Sequence, residues 1–136
     1  MRLITISDSV DDMPFKPNKY VYRFKDAWES CAGAESLDDV PDELKSVVDL
    51  YDMQTRKVAE EYAEVLEADC DILSMSQNEA MELLGELADL VQAAMQKMYM
   101  VGCAKNVSVP QMIAITQLKC LTRDKGFYTP EGSGVR

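Results

Sequence analysis

The stretch "NEAMELLGELADLVQAAMQKMYMVG" (78–102) decides the fold. Leu84, Leu87, Val91, Ala94, Met95 and Met98 recur at helical spacing and form a wide apolar stripe. "SQNE" (76–79) is a Ser-x-x-Glu capping box that opens the helix, and Gly102 is expected to stop it. A helix of about 23 residues spans roughly 34 Å, long enough to be the central member of an antiparallel bundle.

Working outward, a second helix is predicted from about Asp42 to Ala68, with Val58, Tyr62, Val65 and Leu66 on one apolar face. A third opens at "SVPQ" (108–111), a related cap, and carries Met112, Ile113, Ile115, Leu118 and Leu121. Five of the nine methionines lie between Met81 and Met112, where they read as pliable core filling, a ligand-facing wall being the lesser alternative. Ahead of Pro41 the pattern changes. "RLITI" (2–6) and "YVYRF" (20–24) read as short strands around a proline-bearing loop, and "DAWESCA" (26–32) as a short helix. The expected fold is therefore mainly α: an antiparallel helical bundle (41–128) behind an irregular or β-like extension (1–40), with a flexible tail at 129–136.

Composition limits the function. The 136 residues fit one domain, and 47% hydrophobic content with six Gly and five Pro describes a folded chain. A net charge of −10 argues against nucleic-acid and anionic-membrane partners, which need clustered Lys and Arg. There is no 18-residue apolar run and no cationic leader, so the expectation is a soluble, cytoplasmic protein. Cys31, Cys70, Cys103 and Cys120 form no Cys-x-x-Cys pair and histidine is absent, which disfavours structural zinc and leaves the thiols as reduced. Chemistry must then rest on carboxylates, Lys, Arg, Tyr or a hard cation.

The carboxylates are patterned. Glu61 and Glu64 stand three apart on one helix, and Glu86 and Asp89 three apart on the next. Antiparallel packing of the two helices would let the pairs face each other. Like charges at that spacing destabilise a helix by roughly 0.2–0.5 kcal/mol per pair, and crowding four together costs more unless a cation compensates. An oxygen-only set favours Mg²⁺. A solvated acidic face is the other reading of the spacing, since Glu86 and Asp89 lie beside Glu82, off the apolar stripe.

The order of these pieces adds a resemblance. "EEYAE" (60–64), followed after 21 residues by "ELAD" (86–89), resembles the Glu-Glu-x-x-Glu and Glu-x-x-Asp signature of MazG-like nucleotide pyrophosphohydrolases, relatives of dimeric dUTPases and phosphoribosyl-ATP pyrophosphohydrolase. "RKVAEEYAEVLEA" (56–68) is similar to the first motif helix, and "QLKCLTRDKGFY" (117–128) to the closing basic segment. The resemblance covers roughly residues 50–128. It implies an all-α pyrophosphatase fold and hydrolysis of a nucleoside triphosphate to monophosphate and pyrophosphate. It also implies Mg²⁺, with Mn²⁺ as a substitute, held by Glu61, Glu64, Glu86 and Asp89, with Glu60 auxiliary on the substrate side. Glu61 or Glu64 would activate the water. Lys119, Arg123 and Lys125 would hold phosphates, although cations at a helix C-terminus also suit the dipole. Trp28, Tyr62, Tyr99, Phe127 and Tyr128 are the aromatic candidates for base stacking, with Tyr62 and Trp28 read rather as core residues. A homodimer or homotetramer is implied, with no nucleic acid or membrane bound. The asparagine frequent near that basic segment has no clear equivalent, and residues 1–40 have no counterpart in minimal members. From a different class stands an acidic helical interaction protein, a charge mimic in which Glu61, Glu64, Glu86 and Asp89 would matter no more than Asp38, Asp39, Asp42 and Glu43. A third reading keeps the fold and binds nucleotide or metal without turnover.

Overall fold

A computed structural model describes residues 12–30 and 42–122. They form helices α1 (Lys19–Ser30), α2 (Asp42–Ala68), α3 (Gln77–Lys105) and α4 (Val109–Thr122), and no strand occurs among the described residues. Contacts divide the chain into Phe15–Asn106, which holds α1 to α3, and a second unit that contains α4. None of these helices is long and apolar enough to cross a membrane.

α2 occupies the predicted span, and α3 begins at the predicted cap. The Ser76 hydroxyl accepts the Glu79 N–H at 3.1 Å while Glu79 Oε1 accepts the Ser76 N–H at 2.9 Å, so two otherwise orphaned donors are satisfied. Between α2 and α3, Asp71 folds the chain by accepting from Leu73 N–H at 3.0 Å. The end of α3 departs from expectation. The helix runs past the buried Gly102 and stops at Asn106, whose left-handed backbone (φ 57°, ψ 48°) returns its N–H to the Gly102 carbonyl. Asparagine tolerates that conformation, so the stop falls one turn later.

The expected strand at 20–24 is instead the first part of α1. Asn18 Oδ1 accepts the N–H groups of Tyr20 and Val21 at 3.0 and 3.1 Å, capping a helix whose Val21 and Phe24, three apart, are buried. Phe24 stacks on Trp28 (5.7 Å between centroids) and on Tyr51 of α2 (5.9 Å). Local β-propensity thus loses to a helical burial period. The expected helix at "DAWESCA" is the end of this same α1 as far as Ser30, and "RLITI" lies outside the described residues.

α1 packs on both α2 and α3, and these two run antiparallel: Tyr51 meets Lys97, Gln54 meets Ala93, and Glu61 meets Asp89. The core is Val21, Phe24, Val65, Ala93, Met95, Tyr99 and Met100, so Met95 and Met100 fill it as expected. The buried line of α2 runs through Gln54, Glu61 and Val65, not through Tyr62 and Leu66, which are 54% and 57% exposed. Leu84, Leu87 and Val91 of α3 are exposed as well. The face that sequence alone would bury is thus partly on the surface.

Candidate metal centre and adjoining cleft

Two of the four expected carboxylates reach the site from α3 and the others from α2, because the helices are antiparallel and each pair repeats within one turn. Glu61, Glu86 and Asp89 each offer an oxygen, and these oxygens lie within 4.8 Å of one another. Glu61 is 5% exposed. Its Oε1 accepts from Lys57 Nζ at 2.8 Å, one turn earlier, whereas its Oε2 is buried and has no hydrogen-bond partner. A buried carboxylate oxygen left so is costly, so its setting favours a cation that would take the lone pair.

Glu64 stands at the edge of this group and is exposed. The charge of Glu61, and then a hydrogen bond with Glu86, raise its pKa above the ordinary carboxylate value. Lys57 has its pKa raised in turn, first by its hydrogen bond to Glu61 and then by that charge. The ammonium is the charge that the acidic group already recruits. A donor set of carboxylate oxygens from two rigid helices, without histidine or cysteine, suits Mg²⁺ or Mn²⁺.

Beside the carboxylates opens a cleft of about 630 Å³. Glu60, Glu61 and Asp89 line it together with Arg56 and Lys57. Toward α1 its wall is made of Asn18, Tyr20, Gln54, Gln92 and Gln96. Gln96, 2% exposed, ties this wall together: Asn18 N–H donates to its Oε1 at 2.9 Å, and its Nε2 donates to the Lys16 carbonyl at 3.0 Å and to Gln92 Oε1 at 2.8 Å.

The expected phosphate-binding residues fall elsewhere. Lys119 lies on α4 in the second unit, and Arg123 and Lys125 lie outside the described residues, as do Phe127 and Tyr128. Among the aromatic candidates Tyr99 is core, its hydroxyl donating to the Phe15 carbonyl at 2.5 Å. Trp28 packs on Phe24, and Tyr62, expected in the core, is exposed away from this cleft. Sequence reading missed Arg56 and the amides. Their signal was present as helical spacing, since Gln54 and Glu61 are seven apart on α2, as are Asp89 and Gln96 on α3.

No protein-family model matches the chain, and no curated protein or solved structure matches it either. Among the described residues, fold and site define an all-α arrangement of four helices with an acidic cluster able to hold a metal ion.

Proposed function

We propose that this protein is a Mg²⁺-dependent nucleotide pyrophosphohydrolase that cleaves a nucleoside triphosphate to monophosphate and pyrophosphate. The observation that carries the reading is Glu61 Oε2, a buried acceptor without a partner inside a three-carboxylate cluster that borders a cleft. The motif resemblance carries the reaction, and the cluster supports the reading.

Glu61, Glu86 and Asp89 would hold the ion, and Mn²⁺ would fit the same oxygens. When bound, the cation neutralises phosphate charge and lowers the pKa of water, so histidine is not needed. Glu61 or Glu64 would take the proton of the attacking water, as the resemblance implies, and the proton affinity of Glu64 is raised by the charge of Glu61. Glu61, buried and paired, serves as ligand. Arg56 and Lys57 face the cleft and give phosphate oxygens a planar fork and a point charge. Glu60 lines the same cleft, and its auxiliary role on the substrate side, like the phosphate contacts of Lys119, Arg123 and Lys125, follows from the resemblance. The exposed Leu84, Leu87, Val91, Tyr62 and Leu66 support association of copies into a homodimer or homotetramer.

The test is pyrophosphate release from a panel of ribo- and deoxyribonucleoside triphosphates, with Mg²⁺ and with chelator. Metal-dependent release that Glu61→Gln removes is the expected result. No release from any of them would overturn the enzyme and favour an acidic interaction protein.

A further inference from the structure

We propose that the amides lining the cleft recognise a pyrimidine base; this rests on the nucleotide reading above and adds the substrate class. The argument is a count of donors and acceptors in which backbone groups fix every amide.

Gln96 comes first because its two ends meet backbone. Its Oε1 must be the oxygen, since Asn18 N–H donates to it, and its Nε2 must be the nitrogen, since the Lys16 carbonyl accepts from it. The second Nε2 hydrogen goes to Gln92 Oε1, so the open end of Gln92 is its NH₂. Asn18 Oδ1 is taken by the N–H groups of Tyr20 and Val21, so the open end of Asn18 is also NH₂. Gln54 is the reverse. Its Nε2 donates to the Ala93 carbonyl at 2.9 Å, and its open end is the acceptor Oε1.

The open ends of these amides are therefore two donors and one acceptor. None of these three ends is buried without a partner; Glu61 Oε2 is the one such side-chain atom among the described residues. A pyrimidine edge carries the complement, two acceptors and one donor: O2, N3–H and O4 in uracil and thymine, or O2, N3 and the amino group in cytosine. Guanine presents one acceptor and two donors on the equivalent edge, and adenine one of each. Either purine would leave one of these amide ends unmatched, and such mismatches discriminate.

Position agrees with chemistry. Gln54 and Glu61 are seven apart on α2, so the acceptor end lies two turns, about 10 Å, from the carboxylate on the same face, while Gln92 stands three residues, one turn, from Asp89 on the antiparallel α3. Phosphates at the acidic end leave the base at the amide end. Tyr20 and Met53 add apolar surface there.

The experiment is calorimetric binding of the non-hydrolysable α,β-imido triphosphates of uridine, cytidine, adenosine and guanosine to the full chain with Mg²⁺. The wild type is expected to bind both pyrimidine nucleotides about tenfold tighter than both purine nucleotides. Gln92→Glu keeps the acceptor for Gln96 and replaces only the open NH₂. Its open end becomes a second acceptor, so the amides then offer one donor and two acceptors, the complement of the guanine edge; the added charge weakens all four ligands, and the preference is expected to pass from the pyrimidine nucleotides to the guanosine nucleotide. Binding without base preference in the wild type, or a preference that Gln92→Glu leaves intact, overturns the proposal while the hydrolase reading stands. If no nucleotide binds and none is hydrolysed, the reading beneath it fails too.

Discussion

Replacing Glu61 by glutamine should make the protein more stable without metal and less stable with it. In the absence of a cation, Glu61 buries a charged oxygen that nothing satisfies, close to Glu86 and Asp89. Glutamine fills the same volume, carries no charge, and turns one oxygen into a donor that its acidic neighbours can accept. Removing an unsatisfied buried acceptor recovers about 1–2 kcal/mol. The ion pair lost with Lys57 subtracts little, because the lysine is exposed. At this chain length about 3–5 °C accompanies each kcal/mol, so in chelator the variant should melt roughly 3–10 °C higher than wild type. Mg²⁺ at a hundred times Kd adds about 2.7 kcal/mol to a protein that binds it only when folded, or roughly 8–13 °C. Wild type should gain that shift and Glu61→Gln should not, so the order of the two melting curves reverses between chelator and Mg²⁺. Thermal unfolding followed by circular dichroism reads both. A variant that melts well below wild type in chelator, or that gains as much from Mg²⁺, would refute the reasoning.

Three further outcomes follow from the same geometry. Gln96→Leu strands the Asn18 N–H, the Lys16 carbonyl and Gln92, and should cost about 2–5 kcal/mol and loosen α1, read as faster amide exchange over residues 19–30 with α3 still protected; unchanged exchange in α1 would contradict it. Leu84→Glu, on an exposed apolar position, should lower the oligomeric mass seen by light scattering without lowering helical content, and an unchanged mass would place the interface elsewhere. Burial pushes the Cys103 thiol above its ordinary 9.0, so its alkylation rate should still be rising at pH 9 and its folded-state advantage should fade as pH climbs through the raised value. A rate that levels off below pH 8.5 in the folded protein would show the thiol to be less buried than described.

Much of the helical framework was legible because it is written in local chemistry. The Ser76–Glu79 box and the long apolar period of residues 78–102 act within one helix, and α2 ends where helix-forming residues give way to "DCD". The approach of Glu61 to Glu86 and Asp89 was legible for the same reason: antiparallel neighbours with paired acids place them side by side. What stayed hidden depends on partners. "YVYRF" has β-forming residues, and only the burial of Val21 and Phe24 against α2 and α3 makes it a helix. Gly102 reads as a stop until the cap at Asn106 is seen. The apolar period of α2 pointed to Tyr62 and Leu66, whereas the helix buries Gln54 and Glu61, polar side chains held by the Ala93 carbonyl and by Lys57. The inward face of α2 thus carries a polar bond to α3 and an ion pair within its own turn, which hydrophobicity does not register.

The central claim is a divalent cation on Glu61, Glu86 and Asp89, and Mn²⁺ titration followed by electron paramagnetic resonance tests it most directly. Wild type should show saturable loss of the free-Mn²⁺ signal, Mg²⁺ should compete for it, and Glu61→Gln and Asp89→Asn should abolish it while Glu67→Gln, at an exposed acid elsewhere on α2, leaves it intact. Equal Mn²⁺ uptake by all four proteins would mean diffuse attraction to an acidic surface, and the site described here would not be a metal centre.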